Sequence, residues 1–297
     1  MAAHLQIEQL ETADGRRLRV EVVGDGQRMV VVHVGSPNAG VLYDRWAQDA
    51  LARGLTLLAY DRPGYGESSP RPGRSIADCA SDVRTISEAV GFERCAVWGL
   101  SGGGPHALAC AALLDDLVVA AATIGSPAPS DAPGFDSFAL MSDGARKDYE
   151  LFLADRAEWE REGREQREQL LAWNFEEFAE HWSMGKSPGD QKALHGEFGA
   201  WLYRAVRTGL APGDEGWLED DIAVFRSSWG FDPASISIPV KVWHGLDDQF
   251  VSIEHGRWLA GNIPGAEAEL REHDGHLAVA AHSIGEVHEW LAQRFES

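Results

Sequence analysis

The sequence predicts an α/β fold, with a mostly parallel eight-stranded sheet, helices on both faces and a helical segment inserted before the last two strands. Three observations support this prediction. β-branched runs alternate with amphipathic helical stretches over the first 127 residues, a charge-rich stretch without strands follows, and the alternation then returns. Such alternation is typical of a parallel sheet covered on both faces. The chain has 297 residues, enough for one large core with an insertion.

The first strands are predicted to form a hairpin, because His4 to Leu10 and Leu18 to Val23 flank the tight-turn dipeptide Asp14-Gly15. The β-branched run Met29 to His33 predicts a strand that is buried on both faces. Helices and strands then alternate as far as residue 124. Their predicted bounds are Tyr43 to Ala52, Leu55 to Tyr60, about Ser75 to Val90, Cys95 to Leu100, Pro105 to Leu114 and Val118 to Ile124.

Residues 128–229 are predicted to form a helical cap that separates the two parts of the core, residues 1–127 and 230–297. Charged helix-forming stretches such as Ala154 to Trp173 dominate this segment, and no strand pattern is convincing there. Its tryptophans are expected to pack between helices, since burial of large aromatic area is their usual role. They are Trp159, Trp173, Trp182, Trp201 and Trp217. The core then resumes with strand Val240 to His244, helix His255 to Ile263, strand Ala268 to Leu270 and helix His282 to Phe295.

Composition excludes several classes of protein. With 26 basic and 47 acidic residues the net charge is −21, which repels nucleic acid and anionic lipid headgroups. The longest apolar run, Leu117 to Ile124, is far shorter than the ~20 residues that span a bilayer, and the first eight residues resemble no secretory signal. We therefore expect a cytoplasmic protein.

Cys79, Cys95 and Cys110 form no metal-binding pair and no nucleotide-binding motif is present, so neither a metal nor a cofactor is expected.

Gly99-Leu100-Ser101-Gly102-Gly103 matches the G-x-S-x-G nucleophile elbow. About 0.2 such matches are expected by chance in a chain of this composition, so the motif alone is weak. Its position makes it informative, because it lies between the predicted strand Cys95 to Leu100 and the helix that follows. A sharp turn there exposes the serine at the carboxyl edge of the sheet. A serine hydroxyl needs an adjacent base, so the hypothesis requires a histidine and an orienting carboxylate downstream.

Four segments in order resemble the α/β-hydrolase superfamily, and in particular its cap-bearing serine hydrolases. They are His33-Val34-Gly35-Ser36-Pro37, Asp61 to Ser68, the elbow around Ser101, and His244 to Val251 together with Gly275-His276. The resemblance extends over nearly the whole chain and implies the α/β-hydrolase fold. It also implies the order Ser, Asp, His for the catalytic residues.

The resemblance assigns the acid to Asp248, through the family pattern H-G-x-x-D-x-x-V, and the base to His276, through the family's late G-H pair. Asp247 and His273 are the neighbours that remain as alternatives. His273 is expected to be a surface residue at the end of a strand. In the implied mechanism His276 deprotonates Ser101, and Asp248 holds the imidazole in the required tautomer.

An oxyanion hole needs two backbone donors. The N–H of Gly102, the residue after the nucleophile, is expected to be one of them. For the other, alignment with the family's H-G-x-P points to Ser36, with Gly35 left open because Val34 departs from that pattern. Asp61 or Arg62 is expected to brace the loop after the fourth strand, and neither is expected to take part in chemistry.

The resulting prediction is a cofactor-independent serine hydrolase that cleaves a small-molecule ester or related acyl compound through an acyl-enzyme. The tryptophans of the cap suggest that the acyl or alcohol part of this substrate is apolar and moderately bulky. The resemblance leaves three alternatives open. These are an aminopeptidase similar to the proline iminopeptidases, a lyase that uses the same three residues, and a non-enzymatic ligand receptor on this fold. The substrate and the oligomeric state are not predicted.

Overall fold

A computed structural model describes residues 4–183 and 187–296 and contains one eight-stranded sheet in that part of the chain. The strand order is β1-β2-β4-β3-β5-β6-β7-β8. β2 runs antiparallel to β1 and β4, and all the other neighbours are parallel. The strands are β1 (His4–Glu11), β2 (Arg17–Val23), β3 (Met29–His33), β4 (Thr56–Tyr60), β5 (Cys95–Leu100), β6 (Val118–Ile124), β7 (Val240–Gly245) and β8 (Glu267–Arg271). The predicted mostly parallel sheet is confirmed.

Helices cover both faces of the sheet. Those in the two parts of the core are α1 (Asp44–Ala52), α2 (Cys79–Val90), α3 (Gly103–Leu113), α10 (Ile253–Asn262) and α11 (His276–Arg294). Among the described residues between β6 and β7 lie six more: α4 (Asp143–Ala154), α5 (Arg156–Ala172), α6 (Phe175–Ser183), α7 (Pro188–Leu194), α8 (Glu197–Leu210) and α9 (Glu215–Phe225). We call α4 to α9 the helical insert. Within the described part of the insert no strand is present.

The two faces of the sheet build two hydrophobic cores, because successive side chains of a strand point to opposite sides. Val31 packs into the core shared with α2, α3 and α10. Val30 and Val32 face the other core, which α1, α11 and α8 complete. The insert thus contributes to this second core directly, and the fully buried Trp201 of α8 lies 4.6 Å from the ring of Trp46.

The insert tryptophans are buried to different degrees. Trp159 and Trp201 are buried, which agrees with the packing role expected for them, and Trp173, Trp182 and Trp217 are partly buried against the second core. The indole N–H of Trp201 donates to the Val41 carbonyl in the core. Large aromatic side chains therefore attach the insert to the sheet.

Most predicted bounds agree with the structure to within one or two residues, but the last helix was predicted to begin at His282 and begins at His276. Six extra residues are helical because a partner remote in sequence satisfies their first amides. The carboxylate of Asp190 in α7 accepts hydrogen bonds from the N–H groups of His276, Leu277 and Ala278. Nothing near residue 276 in the sequence signals that cap, since Gly275 has no side chain to supply one.

Among the described residues, no helix is both long enough and apolar enough to cross a membrane.

Candidate active site

Ser101 lies in the sharp turn between β5 and α3, with a left-handed φ of 52°. Its N–H donates to the Ile124 carbonyl at 2.9 Å, which holds the turn against the end of β6, and its side chain is partly exposed. Close backbone approach explains the glycines of the motif. A Cβ atom on Gly99 would lie 2.2 Å from the Gly103 carbonyl oxygen, and one on Gly103 would lie 1.9 Å from that of His33. Only glycine fits at either position without movement of the backbone.

His276 and Asp248 are in direct contact, with 2.7 Å between Nδ1 of the imidazole and Oδ2 of the carboxylate. The other oxygen of Asp248 accepts the N–H groups of Phe250 and Val251, both at 2.8 Å. Asp248 is buried, whereas Asp247 is exposed. Of the two neighbouring carboxylates, the geometry therefore favours Asp248 as the partner of the imidazole.

The environment of Asp248 keeps its carboxyl ionised. Burial acts to raise its pKa, but the imidazoles of His276 and His244 outweigh burial and hold the pKa of Asp248 well below its ordinary value. His244, at the end of β7, lies 3.4 Å from Oδ2 of Asp248 and donates its Nε2–H to the Val251 carbonyl at 2.9 Å. His244 thus ties the acid-bearing loop to the sheet, a role that the sequence motif did not reveal.

The end of β6 brings the serine and the imidazole to the same edge of the sheet. The N–H of Ser101 is hydrogen-bonded to the carbonyl of Ile124. The residue after Ile124, Gly125, lies against His276 and Asp248. A Cβ atom on Gly125 would be 3.2 Å from Nδ1 of His276 and 3.4 Å from Oδ2 of Asp248. The structure thus gathers the three predicted residues around the carboxyl ends of β5, β6 and β7. His273 lies outside this group, exposed at the end of β8.

The predicted oxyanion donors are also adjacent. A Cβ atom on Gly102 would lie 2.9 Å from Oγ and 3.6 Å from the backbone nitrogen of Ser36. Among the described residues, neither of these two backbone N–H groups donates to another protein atom. Gly35 also lies beside the nucleophile. A Cβ atom on Gly35 would be 3.3 Å from Cβ of Ser101. Ser36 and Gly35 therefore both lie close to the turn that carries Ser101 and Gly102.

A buried charged cluster, which the sequence did not predict, holds the Ser36 loop. At its centre is Asp220 of α9, whose side chain has no exposed area. Its carboxylate accepts hydrogen bonds from four side chains: Ser36, Arg62, Tyr65 and Arg74. Arg62 also donates to the carbonyl of Val34. Arg62 therefore connects the helical insert to the loop that carries Ser36.

Electrostatics explain why this cluster tolerates burial. Burial acts to raise the pKa of Asp220, but the guanidinium groups of Arg62 and Arg74 outweigh it and hold that pKa well below its ordinary value. His106, which donates Nδ1–H to the Gly102 carbonyl at 2.9 Å, is buried beside the same arginines. Burial and the charge of Arg62 lower the pKa of His106 to about 3, so this imidazole is neutral at pH 7.

A family model described as alpha/beta hydrolase fold matches residues 28–282, most of the chain. The chain belongs to the alpha/beta-hydrolase fold family.

Individual relatives agree with this membership. The uncharacterized hydrolase YcgS of Bacillus subtilis is 31% identical over 98 residues, which are 33% of this alpha/beta hydrolase and 34% of YcgS. The match therefore spans only about a third of that curated relative. Solved structures align end to end. A bromoperoxidase from Bacillus anthracis has a TM-score of 0.70 at 21% identity, and the esterase EaEST from Exiguobacterium antarcticum has 0.69 at 20%, each covering 100% of both chains. At these identities the likeness shows the fold.

Apolar surface borders the imidazole of this alpha/beta hydrolase. The ring of Phe250 lies 5.1 Å from that of His276, and Trp182 of the insert lies 6.3 Å from Phe250. Phe250 also lines a cavity of about 160 Å³ between its loop and the insert. The wall opposite Phe250 is mixed: Leu140, Met141, Tyr149 and Phe225 are apolar, whereas Asp148, Asp221 and Arg226 are charged.

In the described part of the chain, no group of three or more His, Cys, Asp or Glu side chains could hold a metal ion.

Proposed function

We propose that this alpha/beta hydrolase is a serine hydrolase that cleaves carboxylic esters or related acyl compounds, with Ser101 as nucleophile, His276 as base and Asp248 as acid. The observation that carries the proposal is the 2.7 Å hydrogen bond between His276 and Asp248, at the edge of the sheet where Ser101 emerges in its left-handed turn. A serine hydroxyl becomes nucleophilic when an oriented imidazole removes its proton.

The reaction follows from the roles of these groups. Because Asp248 engages Nδ1 of His276, Nε2 takes the Ser101 proton as Oγ bonds to the acyl carbon. The carbonyl oxygen then carries the negative charge, which the backbone N–H groups of Ser36 and Gly102 stabilise. When the intermediate collapses, the bond to the leaving alcohol breaks and His276 returns its proton to that alcohol. Water, deprotonated by the same imidazole, hydrolyses the acyl-enzyme and regenerates Ser101.

The substrate that we propose is small and apolar. We propose that one group of the substrate enters the cavity beside Phe250, which has about 160 Å³, close to the ~150 Å³ that holds one benzene molecule in another protein. We therefore expect acyl or alcohol groups of about six carbons to be preferred over long chains. A panel of p-nitrophenyl esters of increasing chain length tests this expectation, and an optimum at long acyl chains would contradict it.

Covalent labelling tests the mechanism. A fluorophosphonate probe should label Ser101, as peptide mapping would show, and Ser101→Ala should abolish both labelling and turnover while the far-UV circular dichroism stays unchanged. His276→Ala should cause a comparable loss of activity. His273→Ala is the matched control, an exposed histidine three residues away that should retain full activity. Labelling at another serine, or an inactive His273→Ala beside an active His276→Ala, would overturn the assignment.

The pH dependence gives an independent test of the base. We expect kcat/KM to rise with pH through an apparent pKa of about 6–7, because only the neutral imidazole can accept the serine proton. A profile that is flat between pH 5 and 8 would be inconsistent with an imidazole base.

A further inference from the structure

The helix that carries His276 depends on a side chain of the insert. The first N–H groups of a helix lack partners within it, and Gly275 has no side chain to accept them. The carboxylate of Asp190 takes their place, with Oδ2 3.1 Å from the N–H of His276 and Oδ1 2.8 and 2.9 Å from those of Leu277 and Ala278. His276 is therefore held twice, at its ring by Asp248 and at its backbone by Asp190.

The contact between Asp190 and α11 is tight and sheltered. Asp190 has no exposed area, and a Cβ atom on Gly275 would lie only 2.2 Å from its Oδ2. Its own backbone is held by Ser187, whose Oγ caps α7 by accepting the Asp190 N–H at 3.1 Å. A carboxylate at a helix N-terminus also interacts favourably with the helix dipole. The packing leaves Asp190 little freedom to move relative to His276.

We propose that Asp190 is a positioning residue for the base, so that the helical insert takes part in catalysis by setting where His276 stands. The inference rests on the proposed role of His276. Loss of the carboxylate would free three amides and let the first turn of α11 fray, which moves the imidazole while leaving the substrate surface of Phe250 and the cavity in place. A misplacement of about 1 Å can cost about 100-fold in rate.

Asp190→Asn tests the proposal, because it keeps the size of the side chain but replaces one acceptor oxygen with a donor. We expect kcat to fall about 10- to 100-fold with KM within about threefold of wild type, and fluorophosphonate labelling of Ser101 to slow by the same factor. Asp155→Asn is the matched control, since Asp155 caps α5, another helix of the same insert, by accepting the Glu158 N–H. Its kcat should equal that of wild type.

A double-variant experiment separates positioning from general damage. If Asp190 acts through His276, Asp190→Asn should leave unchanged the small residual rate, above the uncatalysed reaction, that a His276→Ala variant retains. An equal loss in both backgrounds, or an unchanged kcat in folded Asp190→Asn, would overturn the proposal. If Asp190→Asn does not fold, Ser187→Ala provides the test. This milder change should lower kcat at least threefold at constant KM, and an unchanged kcat would count against the proposal.

The same measurements keep this inference separate from the proposed function. If His276→Ala and Ser101→Ala remain active, the proposed function is wrong. If both are inactive while Asp190→Asn has normal kcat, only the positioning role is wrong.

Discussion

The stability of the buried cluster around Asp220 can be measured with one substitution. In Asp220→Asn the side chain keeps its shape, but Arg62 and Arg74 lose their negative partner in a site with almost no exposed area. Removing one partner of a buried ion pair costs about 3–5 kcal/mol, because the remaining charge is left uncompensated. With an unfolding entropy of about 2.1 cal/mol/K per residue, the 297-residue chain should lose about 5–8 °C in Tm.

Differential scanning calorimetry at pH 7 is the appropriate assay. Asp116→Asn is the control, because Asp116 also binds an arginine, Arg84, through two hydrogen bonds, but on the surface. Water screens that pair, and its removal should leave Tm within about 1 °C of wild type. A Tm of Asp220→Asn that falls no further than that of Asp116→Asn would refute the reasoning, since the buried charges would then be compensated by something other than Asp220.

Three further predictions concern the acid, the elbow and the behaviour at low pH. In steady-state assays Asp248→Asn should lower kcat/KM by about 100-fold or more, because the imidazole loses the carboxylate that fixes its tautomer. The control is Asp247→Asn, which changes an exposed side chain and should leave kcat/KM unaltered. Gly103→Ala should prevent folding or lower Tm sharply, since its Cβ would overlap the β3 backbone at 1.9 Å, whereas Gly213→Ala, with nothing within 4 Å, should have a wild-type Tm. The pKa of His106 is about 3 in the folded protein, whereas its ordinary value is 6.5. Between these two pH values only the unfolded chain binds a proton at His106. As the pH drops from about 6.5 towards 3, His106 should therefore lower the free energy of unfolding by about 1.4 kcal/mol per pH unit. Urea titrations of His106→Asn should show that its free energy of unfolding falls less steeply with pH than that of wild type.

Much of the fold could be predicted because it is encoded locally. The alternation of buried strands and amphipathic helices placed all eight strands, and β6 has the predicted bounds Val118–Ile124. The Ser101 turn could be located as well, since its glycines are required by close backbone contacts within and beside the motif. The roles of Ser101, Asp248 and His276 came from the family resemblance, and they stay predictions until the variants are measured.

What could not be predicted depends on contacts between distant segments. The start of α11 was missed because its cap, Asp190, lies 86 residues before His276. The anchor of the Ser36 loop was missed because its partner, Asp220, lies 184 residues further along the chain. A charged residue in a helix-forming stretch usually faces solvent, and no periodicity distinguishes the few carboxylates that become buried.

For this protein, then, the amino-acid sequence by itself determined the order of the elements, the strained serine turn and the residue types available for chemistry. Each of those depends on backbone propensity and side-chain periodicity over a few residues. Only the tertiary structure decided how these groups are held, with Asp190 of the insert at the start of α11 and Asp220 of the insert at the Ser36 loop. Burial makes an unpaired carboxylate or guanidinium so costly that these distant groups must meet, and which groups meet is set by the packing of the whole chain.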